Sequence, residues 1–461
     1  MNCATFVKRN VTETGIHGLP YLMRKDLHWT ERLFWLGIII AATYYSIFLS
    51  LEQWKHFQEN PLVFAAELTW DKKNFLYPGI TMCSDFRNAL MAEEIIMELW
   101  QLTPNDTRYD YYSNFLQVLN VLQYDTLETL LPYKNDSTLW GIDYVDILIK
   151  LQTPDKSEVQ ISEKKSIIFA PAITEVGLCR TTSQLNKYTN PSGEIKSLEV
   201  SPVQYCLFMS ICFTKLFPEY SDEAEVFVYL HNPLDVVAPN DITNVYQTAP
   251  QGRVLTVDLE ITAFSAEAQV RRIPIEYRKC RYPDESNLKY FETYSTALCC
   301  MEHRIHRAMK LCNCKPHFYA VAAELPTCTI DQLLCLQRHN WTQTNCTFCL
   351  QLCEYMFYVQ LQQSIEQPMH GLQLEGVMGQ KFERTVNIQL NLPYRGIRRR
   401  VVFSFDEVVV SFGGAFGLFL GASFISTYTI IKIFGDFLVL NFLQFCRQQL
   451  RRRRRFRVRV I

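Results

Sequence analysis

The chain has 461 residues and a formal net charge of −1, a total that hides an uneven charge distribution. Both ends are basic, whereas residues 33–431 contain 32 basic and 43 acidic side chains. Basic ends around an acidic middle indicate a chain that occupies two compartments and argue against one confined to a single compartment.

The first predicted membrane span covers residues 33–51 and follows a cytoplasmic segment, residues 1–32. Its 19 residues carry no charge and are just long enough to cross a hydrocarbon layer of about 30 Å. The apolar run is too long for a cleavable signal peptide, and no A-x-A-like cleavage site follows it. Under the positive-inside rule, the basic residues before it place the N-terminus in the cytoplasm.

Residues 52–402 are predicted to form an extracellular α+β domain. Helical periodicity predicts three helices, over residues 91–102, 111–131 and 286–311. Turn signals and apolar–polar alternation predict three strands, within residues 77–83, 254–264 and 385–392. Strands close to both membrane segments would couple movement of the domain to the spans.

Cysteine usage supports an oxidising location for this domain. Of the 16 cysteines, 14 lie between the predicted spans: Cys83, Cys179, Cys206, Cys212, Cys280, Cys299, Cys300, Cys312, Cys314, Cys328, Cys335, Cys346, Cys349 and Cys353. An even number in such a compartment predicts a disulfide framework. The alternative is zinc, because two cysteine pairs within residues 312–349 have ligand-like spacing and histidines lie near them. Disulfides are favoured, since extracellular thiols at this density are usually oxidised.

Four N-glycosylation sequons fall in the same segment, at Asn105, Asn135, Asn340 and Asn345. Sequons are common by chance, so they agree with an extracellular location without establishing it.

The second predicted span lies within residues 403–445, where residues 408–431 carry no charge. These 24 residues are enough to cross a membrane, and basic residues follow them. Both termini, the second being residues 446–461, are therefore predicted to be cytoplasmic. The fold class that follows is a two-pass α-helical membrane protein with a large disulfide-rich α+β extracellular domain.

Small residues within the second span allow two interpretations. Gly413, Gly417 and Gly421 recur every fourth position, so they share one helix face where another backbone can approach closely. The simpler interpretation is a helix-packing motif. The alternative is a pore, in which copies of Gly421, Ala422 and Ser423 meet on a symmetry axis and present backbone carbonyls to a cation.

Charged residues flank this span. Asp406 and Glu407 lie at its outer mouth, either as solvated boundary residues or, repeated around a pore, as groups that concentrate cations. The arginines of residues 451–459 are most simply a topology signal that also binds anionic lipid of the inner leaflet. No nucleic-acid partner is expected.

Seven short motifs together resemble the degenerin/epithelial sodium channel family, most closely its insect pickpocket branch. They are His17-Gly18, YPGITMC at 77–83, TEVGLC at 174–179, YSTALCC at 294–300, CNCKPHF at 312–318, the clustered Cys346, Cys349 and Cys353, and GGAFGLFLGAS at 413–423. Each motif alone is weak, but their order and spacing over nearly the whole chain are specific.

The resemblance implies a trimeric channel, homomeric or built with related subunits, that conducts Na⁺ across the plasma membrane and is blocked by amiloride. It places the selectivity filter at Gly421, Ala422 and Ser423, and a gating motif at His17 and Gly18. It also places the degenerin position, where bulky side chains hold such channels open, at Val410.

The resemblance also implies disulfide pairs. They are Cys83–Cys179, Cys280–Cys353, Cys312–Cys335 and Cys314–Cys328. The adjacent Cys299 and Cys300 take Cys349 and Cys346, in an order that the sequence leaves open. Cys206 and Cys212 lie near each other in the sequence and are expected to pair together.

Two departures from the family pattern bear on function. The glutamate that family members usually carry six residues after the filter serine is Thr429 here. The degenerin position, usually a small residue, holds Val410, which predicts a raised resting open probability. No cofactor, metal or enzymatic activity is expected, because no catalytic constellation stands out.

The function expected from all this is a stimulus-gated sodium-selective channel subunit. The alternative is a non-conducting subunit or surface binding protein on the same scaffold, which Thr429 favours. An ATP-gated two-span trimer is disfavoured, because the acidic outer segment lacks a basic phosphate site.

Overall fold

The structure is a computed structural model. It describes residues 16–24, 26–59, 61–69, 75–85, 89–151, 158–161, 165–167, 169–190, 211–217, 225–239, 245–250, 252–342, 346–367, 385–402 and 404–423, with single positions between 426 and 439.

The described helices are α1 (Leu19–Met23), α2 (Trp29–Glu59), α3 (Ala89–Trp100), α4 (Tyr109–Val121), α5 (Tyr144–Leu151), α6 (Ile275–Arg278), α7 (Thr296–Cys312), α8 (Ile330–Arg338) and α9 (Phe405–Leu420). The described strands are β1 (Leu62–Thr69), β2 (Gly79–Ser84), β3 (Glu158–Ile161), β4 (Lys165–Ile167), β5 (Ala170–Thr174), β6 (Gly177–Thr181), β7 (Ile211–Phe217), β8 (Val226–His231), β9 (Val245–Ala249), β10 (Val254–Ala266), β11 (Cys280–Arg281), β12 (Gln351–Leu352), β13 (Tyr355–Glu366) and β14 (Thr385–Val401).

The chain divides into two compact units. The first comprises Met1–Val63, Gln269–Arg278 and Arg400–Ile461, and the second comprises Phe64–Ala268 and Lys279–Arg399.

The first unit contains the long apolar helix α2, which includes the predicted span of residues 33–51. Among the described residues it is the one helix long and apolar enough to cross a membrane. The helix has 31 residues and continues to Glu59, because no breaker occurs before Pro61, which disfavours helix in the residue that precedes it. Most of its apolar side chains are exposed, as expected of a helix that faces lipid.

The second apolar segment is not the continuous helix that its uncharged sequence predicts. The helix α9 ends at Leu420, residues 421–423 are non-helical, and helical positions resume at Ser426. The physical reason is Gly421, whose left-handed backbone (φ +59°) ends α9.

The described strands of the second unit form two large β-sheets that share one hydrophobic core, and a short two-stranded sheet of β11 and β12. One sheet has the order β13-β10-β14-β7-β3-β4, with β1 paired to β14, and the other has the order β5-β6-β2-β8-β9. Alternation along β10 is as predicted, because Leu255, Val257, Leu259 and Ile261 are all buried. These side chains contact residues from both sheets in one cluster, so the sheets pack face to face.

A helical module built on α3, α4, α5, α7 and α8 forms the other large core of this unit. The helix predicted over residues 286–311 begins later, at Thr296, because the Ser295 hydroxyl accepts the Leu298 N–H (3.0 Å) and caps it there. The helix predicted over residues 111–131 ends at Val121, since the Tyr124 N–H instead donates to the Glu175 carbonyl (2.9 Å).

Six disulfides lie among the described residues of the second unit. They are Cys83–Cys179, Cys280–Cys353, Cys299–Cys349, Cys300–Cys346, Cys312–Cys335 and Cys314–Cys328. Four are pairs that the resemblance implies, and the structure assigns Cys349 to Cys299 and Cys346 to Cys300, an order that the sequence leaves open. Four of the six join residues of the helical module to one another or to the loop of residues 346–349. Cys212 lies in β7, whereas Cys206 lies outside the described residues.

Candidate ion pathway

The N-terminal end of α9 is fixed by a reciprocal cap. The Ser404 hydroxyl accepts the Glu407 N–H (3.2 Å), and the Glu407 carboxylate accepts the Ser404 N–H (2.7 Å). Glu407 therefore serves the helix N-terminus, while both it and Asp406 remain exposed to solvent. The two predicted pore-mouth carboxylates thus sit on the first turn of α9, where negative charge also complements the helix dipole.

The C-terminal end of α9 is followed by the Gly421-Ala422-Ser423 segment. The Gly421 N–H donates to the Gly417 carbonyl (2.9 Å), and the Ala422 N–H donates to the Phe416 carbonyl (3.2 Å). The Ser423 hydroxyl then accepts the Ser426 N–H (3.2 Å), which starts the helical positions that follow. The predicted filter residues are therefore a capped break between two helical pieces.

The predicted gating motif lies directly against this break. The His17 N–H donates to the Leu420 carbonyl (2.9 Å), so one of the carbonyls that α9 leaves free is satisfied by the N-terminal segment. A Cβ atom at Gly421 would lie 2.5 Å from Nδ1 of His17, which only glycine avoids. The structure thus brings together His17 and Gly421, which the sequence gives as separate sites.

Gly18 holds the N-terminal segment against α2. Its backbone has φ +90°, and a Cβ atom there would lie 2.9 Å from Cγ1 of Ile39. In the adjacent α1, the Tyr21 ring stacks on the Trp35 ring of α2 with centroids 4.5 Å apart. A larger residue at position 18 would therefore push this segment away from α2.

The glycines of α9 are not required for its packing on α2. The two helices meet where the Ser46 hydroxyl reaches the Ala415 carbonyl (3.5 Å) and the Tyr45 and Phe419 rings stack at 6.3 Å. Within 4 Å of a Cβ atom at Gly413 or Gly414, no described atom occurs. Helix packing inside one chain therefore does not explain the glycine-rich face.

Val410 and Thr429 lie on either side of the break. Val410 is 73% exposed on α9, two residues after the buried Val408. Thr429 falls at a helical position beyond Ser426. Neither location tests the role that the resemblance implies for these positions.

Two contacts that sequence reasoning missed lie near the C-terminal end of α2 and the N-terminal end of α9. The Val402 N–H donates to the Pro61 carbonyl (3.0 Å), which joins the chain leaving α2 to the chain entering α9. The Phe57 ring, which is buried, packs on Tyr277 with centroids 5.6 Å apart. The sequence does contain a signal for the packing of Phe57. Trp54 and Phe57 share a face of a helix that has no breaker before Pro61, so an aromatic surface is expected there.

The TEVGLC motif centres on a buried ionic cluster in the second unit. Glu175 is 1% exposed and forms an ion pair with the Arg304 guanidinium of α7. Its carboxylate also accepts a hydrogen bond from the Tyr319 hydroxyl. Burial, followed by the Glu175 carboxylate, raises the pKa of Tyr319 well above its ordinary value. Burial alone would lower the pKa of Arg304, but Glu175 raises it, so the guanidinium stays charged. In the sequence, this motif is recognisable only by its resemblance to the family, and nothing in it predicts the buried cluster.

Three of the four sequon asparagines, Asn105, Asn135 and Asn340, are exposed. Asn345 lies outside the described residues, as does the arginine-rich tail.

Comparison with known proteins identifies the family. The family model described as amiloride-sensitive sodium channel matches residues 11–433. The chain belongs to this family, also called degenerin/epithelial sodium channels, which are channels rather than enzymes.

Relatives place the chain near the insect members of the family. It is 22% identical to the sodium channel protein Nach of Drosophila ananassae, over 94% of this chain and 87% of that protein. It is 20% identical to pickpocket protein 28 of Drosophila melanogaster, over 93% and 78%, respectively. It is also 26% identical to the human bile acid-sensitive ion channel, over 94% and 85%. The chain is thus an insect pickpocket-like member of the family.

Among solved structures, the chain is weakly similar to a proton-activated chloride channel, with a TM-score of 0.26 and 6% sequence identity. The match covers 86% of this chain and 95% of the chloride channel chain.

Proposed function

We propose that this chain is a subunit of a trimeric, sodium-selective cation channel of the plasma membrane, opened by a stimulus that acts on its extracellular domain. Both termini, residues 1–32 and 446–461, lie in the cytoplasm in this proposal, and residues 52–402 lie outside. The spans are residues 33–51, within α2, and residues 403–445. Amiloride blocks the channel, as the description of the family implies.

The observation that carries the proposal is the break in α9. A non-helical backbone at membrane depth leaves peptide groups that lipid cannot satisfy, so it persists only beside protein or water. The Gly421 break lies within an uncharged run that is otherwise suited to lipid. The His17 N–H supports one side of it, at the Leu420 carbonyl. In this proposal, water in a pore satisfies the remaining peptide groups of the break.

Three copies of the break around an axis supply the chemistry of a filter. Backbone carbonyls and the Ser423 hydroxyl at a narrow ring replace part of the hydration shell of a cation. Sodium is the ion of choice because relatives similar to this chain are named sodium channels. The open space beside Gly413 and Gly414 is consistent with close approach of neighbouring subunits there.

The contact between Pro61 and Val402 supports a route for gating. It joins the outer ends of α2 and α9, so a force on either connecting strand acts on both helices together.

The test is voltage clamp of oocytes that express the chain alone, with surface labelling to confirm delivery. We expect a Na⁺ current that amiloride reduces, that a large impermeant cation cannot carry and that Gly421→Arg abolishes. The matched control is Gly37→Ala on α2, where a Cβ atom meets nothing within 4 Å. An unchanged current in Gly421→Arg at normal surface density would refute the assignment of the filter.

The second candidate, a non-conducting subunit or surface binding protein, is favoured by Thr429 in place of the usual glutamate. Surface protein without current would support it. Co-expression with related subunits would then distinguish a silent partner of a heteromeric channel from a binding protein.

A further inference from the structure

A cavity of about 270 Å³ lies beside the first turns of α7, within the second unit. Its volume is close to the lower end of small-molecule sites in proteins. The lining combines apolar, basic and acidic groups, chiefly Arg281, Tyr294, Glu302, His303, His306 and Phe348. None of the ion-pathway residues contributes to it.

The central basic group is Arg281, at the end of β11. Its guanidinium donates one hydrogen bond, to the Glu285 carbonyl (2.8 Å), and lies over the Tyr294 ring at 5.3 Å. No carboxylate pairs with it in the part of the chain that the structure describes. A guanidinium has five N–H donors in a planar fork, so several remain for an anion that enters the cavity.

The two histidines add donors on the same wall. They are three residues apart and therefore share a face of α7. His303 contacts the Phe348 ring (4.6 Å) and has no hydrogen bond to any described residue. Burial, followed by the neighbouring His306, Arg307 and Arg304, lowers the pKa of His303.

The acidic group of the lining, Glu302, already has partners on both oxygens. One oxygen accepts the Tyr290 N–H (2.9 Å), and the other lies 3.8 Å from Nε2 of His306. Arg281 makes no ion pair with it among the described residues.

The lining does not form a metal site. Metal-ligating atoms of three residues converge within 4.8 Å at Cys312, Cys335 and His339, among the described residues, and those two cysteines are bonded to each other. The described groups of this cavity do not converge in that way.

The apolar wall is held in place before any ligand arrives. Phe348 is 55% exposed, and the cysteines around it, Cys346 and Cys349, are bonded to Cys300 and Cys299 of α7. An exposed aromatic ring fixed in this way loses little conformational freedom when it contacts a ligand.

We propose that this cavity binds a small organic anion, a carboxylate attached to an apolar body. Arg281 and the histidines contact the carboxylate, and Phe348 and Tyr294 contact the apolar part. The site is independent of the filter, so its test is a binding measurement that does not depend on conduction.

The experiment uses ¹⁹F NMR of 4-fluorobenzoate with the purified full-length protein in detergent. The reference ligand is 4-fluorobenzyl alcohol, which has the same ring and no charge, and empty micelles correct for partitioning. We expect saturable binding of the carboxylate and at least about tenfold weaker binding of the alcohol. Equal binding of the two would overturn the proposal.

Variants locate the site. Arg281→Gln and Phe348→Ser should each weaken binding of 4-fluorobenzoate by about tenfold or more. Lys310→Gln removes an exposed basic residue of the same helix and should leave it unchanged. Unchanged affinity in Phe348→Ser, whose exposed ring can be removed without leaving a core cavity, would refute the site even if Arg281→Gln fails to fold.

Discussion

Gly421 is constrained from two sides, by its backbone and by its neighbour. Its φ of +59° suits glycine, and the His17 ring occupies the space that a side chain would need. The requirement for glycine at position 421 therefore comes from the folded structure and cannot be read from the neighbouring sequence. His17 is 404 positions away along the chain, so its contact with Gly421 arises only in the folded protein.

Val410 tests the gating hypothesis at the level of one side chain. It is 73% exposed on α9 and has the bulk that, by resemblance, holds such channels open. Val410→Ala should lower the resting current at equal surface density in the oocyte assay. Val409→Ala, a neighbour that is 54% exposed, is the control and should change the current less. A resting current that Val410→Ala leaves unchanged would contradict the role of this position.

Among the elements, α7 is attached to the TEVGLC loop by a buried charge pair. Glu175→Gln would leave the Arg304 guanidinium buried without a counter-charge, at a cost of about 3–5 kcal/mol of unfolding free energy. We expect a lower melting temperature for the purified chain and less protein at the cell surface.

The control for this pair is Glu292→Gln. Glu292 also pairs with a cation, Lys187, at 3.0 Å, but its side chain is 87% exposed, so the loss should be within about 1 kcal/mol. Replacing both buried partners, with Glu175→Gln and Arg304→Met, should recover part of the stability. Equal melting temperatures for Glu175→Gln and Glu292→Gln would show that the buried pair is not stabilising.

The helical module should also lose stability in acid because of His317. This residue is 3% exposed, beside Tyr144 and Phe318, and burial lowers its pKa from 6.5 to about 4. The unfolded chain therefore binds a proton below pH 6.5 that the folded chain does not bind until about pH 4. Stability should fall by up to about 3 kcal/mol as the pH decreases through this window.

Melting temperatures between pH 7 and pH 4 measure this effect. His317→Phe should flatten the pH profile, whereas His306→Gln, which changes an exposed histidine of α7, should retain it. A profile that is the same in His317→Phe and in the parent protein would exclude His317 as the source.

At the scale of the whole molecule, the proposed trimer has a quantitative consequence. If the chain conducts as a homotrimer, equal co-expression with Gly421→Arg leaves about one eighth of the assemblies with three intact filters. The current should fall to that fraction in the oocyte assay. Co-expression with Glu292→Gln should leave the full current. A fall to only one half would indicate subunits that conduct independently.

The sequence by itself determined the features that depend on composition and local pattern. The apolar run of residues 33–51 requires a long helix because its peptide groups need internal partners in lipid. Alternation requires β10 to be a half-buried strand, and the order of seven motifs predicts the family to which the chain belongs. These signals are contained within short stretches, so no tertiary contact is needed to find them.

Tertiary structure alone decided the features that join distant residues. It ended α4 at Val121 rather than at residue 131, where the Tyr124 N–H donates to the distant Glu175 carbonyl. It also placed His17 on the break in α9, Glu175 against Arg304, and Pro61 beside Val402. The reason is physical, since a hydrogen bond or buried charge pair between residues tens or hundreds of positions apart leaves no periodic signal in either segment.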